Sequence, residues 1–501
     1  MATSMTPAAG ISTAPRATAR EWAAFSILVL SVVLLTVDAT VLSLAIPSIT
    51  NALAATGTQI LWMGDIYSLM ISGLLITMGN VADRFGRKKL LLLSALGFGL
   101  ASLLAAFAPS PEILILARAL MGTTGAGLMP STLALIRTIF KNPRQRTTAI
   151  SIWAAGASAG AAFGPLIGGL LLSHFWWGSV FLVNAPIVAI ILIAGFILLP
   201  ESRNEKSGPI DLPSVVLSIL AIIPLVYTVK HVFSDGLSLG MLPILILGLV
   251  AGWGFARRQR RMEEPLFDLE LFKLPSFSSA ILVQFIAVFA TSGLIYFFSQ
   301  YLQFVRGFSP LEAGLIELPN ALSATLIIVV AAAMVRSCGV NGAMALALII
   351  NSIGFAGLAF SEHHGSVVLI CISFVFVGLG GGLGFALGTD AIVGSAPADR
   401  SGAASAISET SYELGAGLGI AILGSMMAGF YRFNGGFADS IATAHTSFER
   451  GLIDATTFTQ ASGAFSGAMV IVTLVSAAIM LGTAVIAYRQ MPRQVEANAH
   501  Q

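Results

Sequence analysis

The chain has 501 residues, 56% of them hydrophobic and only 10% charged, with a mean hydropathy of +0.89. A soluble domain carries about 25% charged residues, so this composition excludes one and predicts an integral membrane protein, which its span-length apolar runs make all-α. The net charge of +2 decides little, because the placement of the charges matters more than their sum.

Residues 1–21 are rich in Ala, Ser, Thr and Pro, carry Arg16 and Arg20, and read as a cytoplasmic tail. The apolar run that follows is too long for a signal-peptide core and contains an acid, so no cleavage is expected. Apolar run lengths predict fourteen spans, at roughly 23–46, 59–80, 89–108, 112–137, 147–172, 179–199, 212–232, 240–257, 276–302, 311–335, 341–360, 366–391, 401–427 and 463–488. With the N-terminus in the cytoplasm, 21 of the 26 basic residues fall inside, Lys230, Arg306, Arg432 and Arg450 fall outside, and Arg118 lies within a span. That asymmetry is a strong positive-inside signal, and it places both termini in the cytoplasm.

Two linkers divide the chain. ESRNEKSGPID (201–211) closes a first block of six spans, and ARRQRRMEEPLFDLELFKLPS (256–276) precedes a last block of six. The expected organisation is a six-helix bundle over 22–200 and linkers with an inserted helix pair over 201–275. A second six-helix bundle over 276–488 and a cytoplasmic tail over 489–501 complete it. Paired bundles of this kind meet around a midplane site. The one long outer loop, 428–462, has apolar residues at near-helical spacing and reads as a short amphipathic hairpin over the outer mouth or as a loosely ordered connection.

The loop between spans 2 and 3 reads Gly79-Asn-Val-Ala-Asp83-Arg84-Phe-Gly86-Arg87-Lys88-Lys89. It resembles the major facilitator superfamily signature Gly-x-x-x-Asp-Arg-x-Gly-Arg-Arg/Lys at every position. Gly79 permits close helix contact, Gly86 a tight turn, and Asp83 can face a helix N-terminus. The resemblance puts that terminus in the other half, near Arg400–Ser401, where the contact acts as an inner latch. Span 5 carries Gly156, Gly160, Gly164, Pro165, Gly168 and Gly169, which resemble the antiporter motif of the superfamily's drug exporters. Glycines four apart flatten one helix face, and a proline bends it. Ordinary small-residue packing explains the spacing but not the Gly-Pro-x-x-Gly-Gly ending.

Span 1 carries Asp38-Ala-Thr40, span 2 Leu61-Trp62-Met-Gly-Asp65-Ile-Tyr67, and span 4 Arg118. With WWGSVFLVNAP (176–186) and SETSYELG in span 13, these are similar to the fourteen-span drug:proton antiporter branch, most like the Qac/Smv-type quaternary-ammonium exporters. At 1.5 Å per residue, Asp38, Asp65 and Arg118 share a level about 9–12 Å below the outer surface. Pairing at that level lowers the cost of each charge. A purely structural Asp38–Arg118 bridge and a proton-linked role both fit.

Span 13, Ser401 to Met427, is free of Lys and Arg yet carries Glu409 and Glu413, four residues apart on one helix face. A charge at such depth costs about 2.5–3.5 kcal/mol on insertion scales, so both acids are expected to face a watery cavity, hold protons or meet a cation. Glu413, the deeper, is expected to carry the exchanged proton, and Glu409 to attract the cation. Glu317 in span 10 is a further membrane acid. Trp62, Tyr67 and Tyr412 lie near the acids and suit bulky organic cations, although most such aromatics serve cores and interfaces. The histidines show no ligand spacing, and no phosphate-binding loop appears, so no metal, cofactor or ATP is expected.

The resemblance therefore implies a major facilitator fold, two six-helix bundles plus an inserted hairpin, in a bacterial inner membrane. It implies proton-coupled efflux of lipophilic cations by a monomer with no nucleic-acid partner. An exporter of an endogenous metabolite or siderophore is the alternative. Arg118, as the one base within the spans, argues against anions. A non-transporting receptor would not need several deep carboxylates.

Overall fold

The computed structural model describes residues 17–203, 211–235, 238–262, 269–396, 401–438 and 440–491. The expected tails lie largely, the linkers partly, and Arg400 wholly outside the described residues.

Helix starts follow local chemistry. Helix α1 (Ala19–Leu53) opens on a reciprocal cap between Thr18 and Glu21, and α2 (Gly57–Phe85) on the same device between Thr56 and Gln59. Gly86 then turns the chain at φ 113, a conformation that a side chain opposes, and α3 (Arg87–Ala106) begins at once. Ser110 caps α4 (Pro111–Ile139), whose first residue is a proline that has no amide hydrogen to lose. Helix α5 (Pro143–His174) contains Pro165. The sixth expected span is interrupted at Val183, giving α6 (Ser179–Leu182) and α7 (Asn184–Leu198).

The inserted pair is α8 (Leu212–Asp235) and α9 (Leu242–Gln259), which pack on each other. Its base is tied by Arg258, whose guanidinium meets Asp211 at 2.8 Å. Helix α10 (Pro275–Gln300) ends in one wide π-helical turn, Tyr301–Val305. Ser309 and Glu312 cap α11 (Pro310–Leu326). Helix α12 (Ile328–His364) is broken at Gly339, where φ is 76. Helices α13 (Val367–Ser395), α14 (Ser401–Phe433), α15 (Ile441–Glu449) and α16 (Ala455–Gln490) complete the chain.

Among the described residues, twelve helices are long and apolar enough to cross a membrane. The count is thirteen when the two pieces of α2, bent by 55°, are taken as one span. The expected span 311–335 is missing from this tally because α11 stops at Leu326, after 17 residues, and its continuation is part of α12. Loop 428–462 also differs from expectation. Helix α14 runs on to Phe433 and α16 starts at Ala455, so one short helix, α15, replaces a hairpin. Leu93, Ile193 and Phe196 are among the many large apolar side chains left exposed on the outside, as lipid contact requires.

Helices α1 to α7 pack mainly among themselves, and so do α10 to α16. The broadest contacts between the groups are α2 with α14 and α5 with α11, and α1 adds smaller ones with α10, α11 and α15. Hydrogen bonds across this seam gather at the end where α1 stops and α2 begins. The Tyr296 hydroxyl donates to the Ile60 carbonyl at 2.7 Å, and the Gln303 amide to the Leu44 carbonyl at 3.1 Å. Helix α15 adds a clasp there, with Thr446 donating to Asn51 at 2.6 Å and Asn51 to Glu449 at 3.3 Å.

Candidate functional site

Asp38 and Arg118 do meet. The Arg118 Nη1 atom lies 2.7 Å from Asp38 Oδ2, and each side chain is 1% exposed. The remaining oxygen, Oδ1, accepts from the Asn184 amide at 2.9 Å, and that amide also donates to Ser102. Asn184 stands at the interruption between α6 and α7, so the break in the sixth helix positions the acid of the first. Asn184 and Ser102 escaped sequence reasoning. Asn184 lay inside a quoted motif, WWGSVFLVNAP, but its partner is 146 residues away.

The Tyr67 ring covers the Arg118 guanidinium at 4.4 Å, a cation–π contact. Tyr67 lies in the electrostatic field of both Asp38 and Glu413. It therefore stands between the buried pair of the first group and the acids of α14. Glu413 faces the Ser68 hydroxyl of α2, and Glu409 lies one turn away in range of Glu413. Both glutamates are half-buried, unlike Asp38. The Tyr412 ring, beside them, meets Phe385 edge-on at 5.2 Å. Arg118, Asp38, Tyr67, Glu413 and Glu409 thus form one chain of charge and ring that crosses the seam.

Asp65 departs from expectation. It does not join Arg118. Its partner is Lys230 of α8, with Nζ 2.9 Å from Oδ1 and 2.7 Å from Oδ2, and both side chains wholly buried. The Lys230 ammonium also lies 3.5 Å from the centre of the Trp62 ring. The assignment of Lys230 to an outer loop is therefore corrected. It sits inside α8, and among the described residues two bases, Arg118 and Lys230, are buried rather than one. Both of these bases are matched by a carboxylate, whereas among the described residues Glu409, Glu413 and Glu317 form no ion pair. Glu317 is 4% exposed, and its Oε1 has no hydrogen-bond partner.

A further acid was missed. Glu362, near the end of α12, is 7% exposed with neither carboxylate oxygen hydrogen-bonded. Its sequence context, SEHHGS, reads as a loop.

The signature loop is ordered by Arg87. Its guanidinium binds Asp83 at 2.8 Å and reaches Thr138 and Ser202, while its amide donates to the Ser202 carbonyl at 2.8 Å. A Cβ at Gly86 would lie 2.6 Å from a Glu201 oxygen, the end of a flexible side chain that can swing aside, so it is φ rather than space that calls for glycine. Gly79 is under less pressure, since its Cβ would stand 3.9 Å from Pro130. Arg84 is exposed. The expected contact of Asp83 with the start of α14 falls beside Arg400, outside the described residues. Within the described residues Asp83 is paired with Arg87.

The glycines of α5 serve two neighbours. Gly160 and Gly164 lie against Thr36 and Thr40 of α1, where any Cβ would overlap a hydroxyl, and Gly168 lies against Val41. Gly169 faces the other group, where a Cβ would come within 2.8 Å of the Leu311 Cα and 2.9 Å of the Pro310 carbonyl. The Pro165 carbonyl would meet a Cβ on Gly314 at 2.6 Å. Only the Pro165 and Gly169 part of the stripe touches the seam in these contacts.

Residues 28–420 match the Major Facilitator Superfamily. The chain belongs to that superfamily. It is 44% identical over 425 residues to the multidrug efflux pump LfrA of Mycolicibacterium smegmatis, covering 85% of this chain and 84% of the relative. It is 37% identical over 411 residues to the methyl viologen resistance protein SmvA of Salmonella typhimurium, covering 82% and 83%. Among solved structures it resembles a bacterial homologue of the human lysosomal transporter Spinster in an inward-facing, occupied conformation. That match has a TM-score of 0.67 and 17% identity over 95% of this chain and 98% of the other. A D-xylose–proton symporter matches with a TM-score of 0.65 and 11% identity, covering 96% and 99%. At those identities the structures speak for the fold alone. This major facilitator is thus a multi-pass membrane transporter of the group that contains multidrug efflux and resistance proteins, and its family moves solutes rather than transforming them.

Proposed function

We propose that this transporter is a proton-coupled antiporter that exports lipophilic and quaternary-ammonium cations, methyl viologen among them, across a bacterial inner membrane. The observation that carries the reading is the line from the buried Asp38–Arg118 pair through Tyr67 to Glu413. Carboxylates from both groups converge on one seam, with two of them, Glu409 and Glu413, half-open and unmatched by a base.

The two groups act as bundles that rock about the seam, with α8 and α9 as an inserted pair. Taking 310–338 as one kinked span brings the count to fourteen and returns the C-terminus to the side of the N-terminus, the cytoplasm. The hydrogen bonds at the α1–α2 turn then close the outer end, and the conformation is inward-facing. A cation entering from the cytoplasm meets Glu409 first and Glu413 next. A positive charge beside a carboxylate favours its ionised form, so binding expels a proton. Outward opening lets the cation leave and the acid reprotonate. The membrane potential contributes about 2.3 kcal/mol per net charge per 100 mV. One proton exchanged for one monocation moves no net charge and draws on the pH gradient alone, about 1.4 kcal/mol or tenfold per pH unit, whereas a second proton adds the potential as well. Asp83, Arg87 and the Pro165–Gly169 face of α5 belong to the moving parts, and Asp38, Arg118 and Glu413 to the proton path.

Glu413→Gln and Glu409→Gln test the division of labour. Equilibrium binding of one monocation and one dication across pH 6 to 9 should lose its pH dependence in Glu413→Gln. It should weaken mainly for the dication in Glu409→Gln. Unchanged profiles in both variants would remove α14 from the coupling path.

A further inference from the structure

The inserted pair is not a bystander to the seam. Helix α8 packs on α2 and on α14, one helix from each group. Leu69 of α2, Val226 of α8 and Ala421 of α14 form a buried cluster of their own, flanked by Trp62, Ile222 and Leu418. Lys230 stands one helical turn beyond Val226 and enters the same junction.

What it enters has the parts of an organic-cation site. Asp65 supplies a fully buried carboxylate, and its Oδ2 accepts no hydrogen bond although the ammonium stands beside it. Trp62 supplies an aromatic face at 3.5 Å from that ammonium. Tyr296 of α10 closes the side towards the second group, its ring so near Gly64 that a Cβ there would stand 2.8 Å away. A desolvated carboxylate beside aromatic rings is what a lipophilic cation needs. Here the cation is part of the chain.

We propose that Lys230 is a tethered counter-cation: it fills an organic-cation site at Asp65 and Trp62, and an aromatic or quaternary monocation enters by displacing it. The inference rests on the cation-transport reading and deepens it. Exchange of one cation for another leaves Asp65 matched, so the charge terms nearly cancel and apolar surface decides. A lipophilic cation gains by burial against Trp62, Tyr296 and Leu69. Lys230 gains by withdrawal, because its compact ammonium is strongly hydrated and its stem is flexible. Asp235, where α8 ends, is about 7.5 Å further along the helix, within the reach over which lysine extends to an interface. An alkali ion brings no apolar surface and cannot displace the lysine, so the device also excludes sodium and potassium.

The test is equilibrium binding of tetraphenylphosphonium to the purified full chain, for wild type, Lys230→Met, Lys230→Arg, Asp65→Asn and the double variant Asp65→Asn/Lys230→Met. Removing the resident charge leaves Asp65 buried and unmatched, so Lys230→Met should bind the probe roughly tenfold more tightly. Sodium should compete in that variant and not in wild type. The double variant should lose the gain, and Lys230→Arg should stay near wild type. Lys230→Met that is folded by thermal unfolding, yet binds no more tightly, would make the pair a structural tie and overturn the inference. Should Lys230→Met not accumulate, wild type still decides the question. An amine-reactive reagent read by mass spectrometry should modify Lys230 faster when tetraphenylphosphonium saturates the protein, and protection or no change would overturn the proposal. A probe that binds neither wild type nor any variant would overturn both this inference and the cation reading, whereas binding to wild type without the gain would overturn this one alone.

Discussion

Asp38→Asn isolates the charge of the first helix from its shape. The substitution keeps the size of the side chain and an oxygen for the Asn184 amide, which donates at 2.9 Å. It removes the negative charge that holds Arg118 at 2.7 Å, in a place where both side chains are 1% exposed. The Arg118 Nε has no hydrogen-bond partner, so the guanidinium depends on Asp38 and on the Tyr67 ring at 4.4 Å. An uncompensated buried charge costs about 3–5 kcal/mol. Asp38→Asn should therefore lower the midpoint of thermal unfolding in detergent as well as stop pumping. The neutral pair Asp38→Asn/Arg118→Met should recover most of the lost stability, because no orphaned charge remains. If Asp38 carries coupling, that double variant stays inactive in proton-driven efflux although it is folded. Active efflux at the wild-type rate in the double variant would refute the reasoning and leave the pair a structural bridge. Unaltered pumping in Asp38→Asn alone would refute it more simply.

Other outcomes follow from the packing. Gly169→Leu should stop transport while leaving substrate binding intact, because its side chain would press on the backbone of Pro310 and Leu311 across the seam. Normal turnover would show that this contact does not move. Gly164→Leu should act earlier, lowering the amount of folded protein, since it overfills the α1 contact at Thr40 by about 1–3 kcal/mol. Equal yields of the two variants would contradict that difference. Thr446→Val removes the 2.6 Å hydrogen bond from α15 to Asn51. A bond of this kind contributes about 0.5–1.5 kcal/mol, so cysteines placed behind the clasp should react a few-fold faster with an impermeant thiol reagent. Unchanged reactivity would free α15 of any gating role.

Much of this was legible in the sequence because it is local or repeats. The apolar runs and the signature loop around Gly86 are set within a few residues. The Asp38–Arg118 pair was legible from a shared depth, because two opposite charges in hydrocarbon have few places to go. Depth alone did not tell Asp65 from Asp38, since both share the level of Arg118. What separated them was Lys230, which follows an apolar run in VYTVKHVF two residues before the end of the expected span 212–232 and counts with the outer charges. Its partner is 165 residues away, and no periodicity links them. One signal was available. A base on the outer side runs against the charge asymmetry of the chain, and a helix continued from Leu212 to Asp235 places Lys230 well inside it. Asn184 and α15 were out of reach for a related reason, because their roles lie in contacts with Asp38 and Asn51 that only the folded chain creates.

The measurement that bears most directly on the account is transport in proteoliposomes holding the purified chain, with a pH gradient imposed and a fluorescent lipophilic cation such as ethidium as the reporter. In inside-out vesicles with an acidic lumen, the account predicts accumulation of the cation against its gradient, collapse of that accumulation when a protonophore is added, and loss of it in Asp38→Asn and Glu413→Gln. Accumulation that ignores the pH gradient and survives the protonophore would contradict proton-coupled antiport.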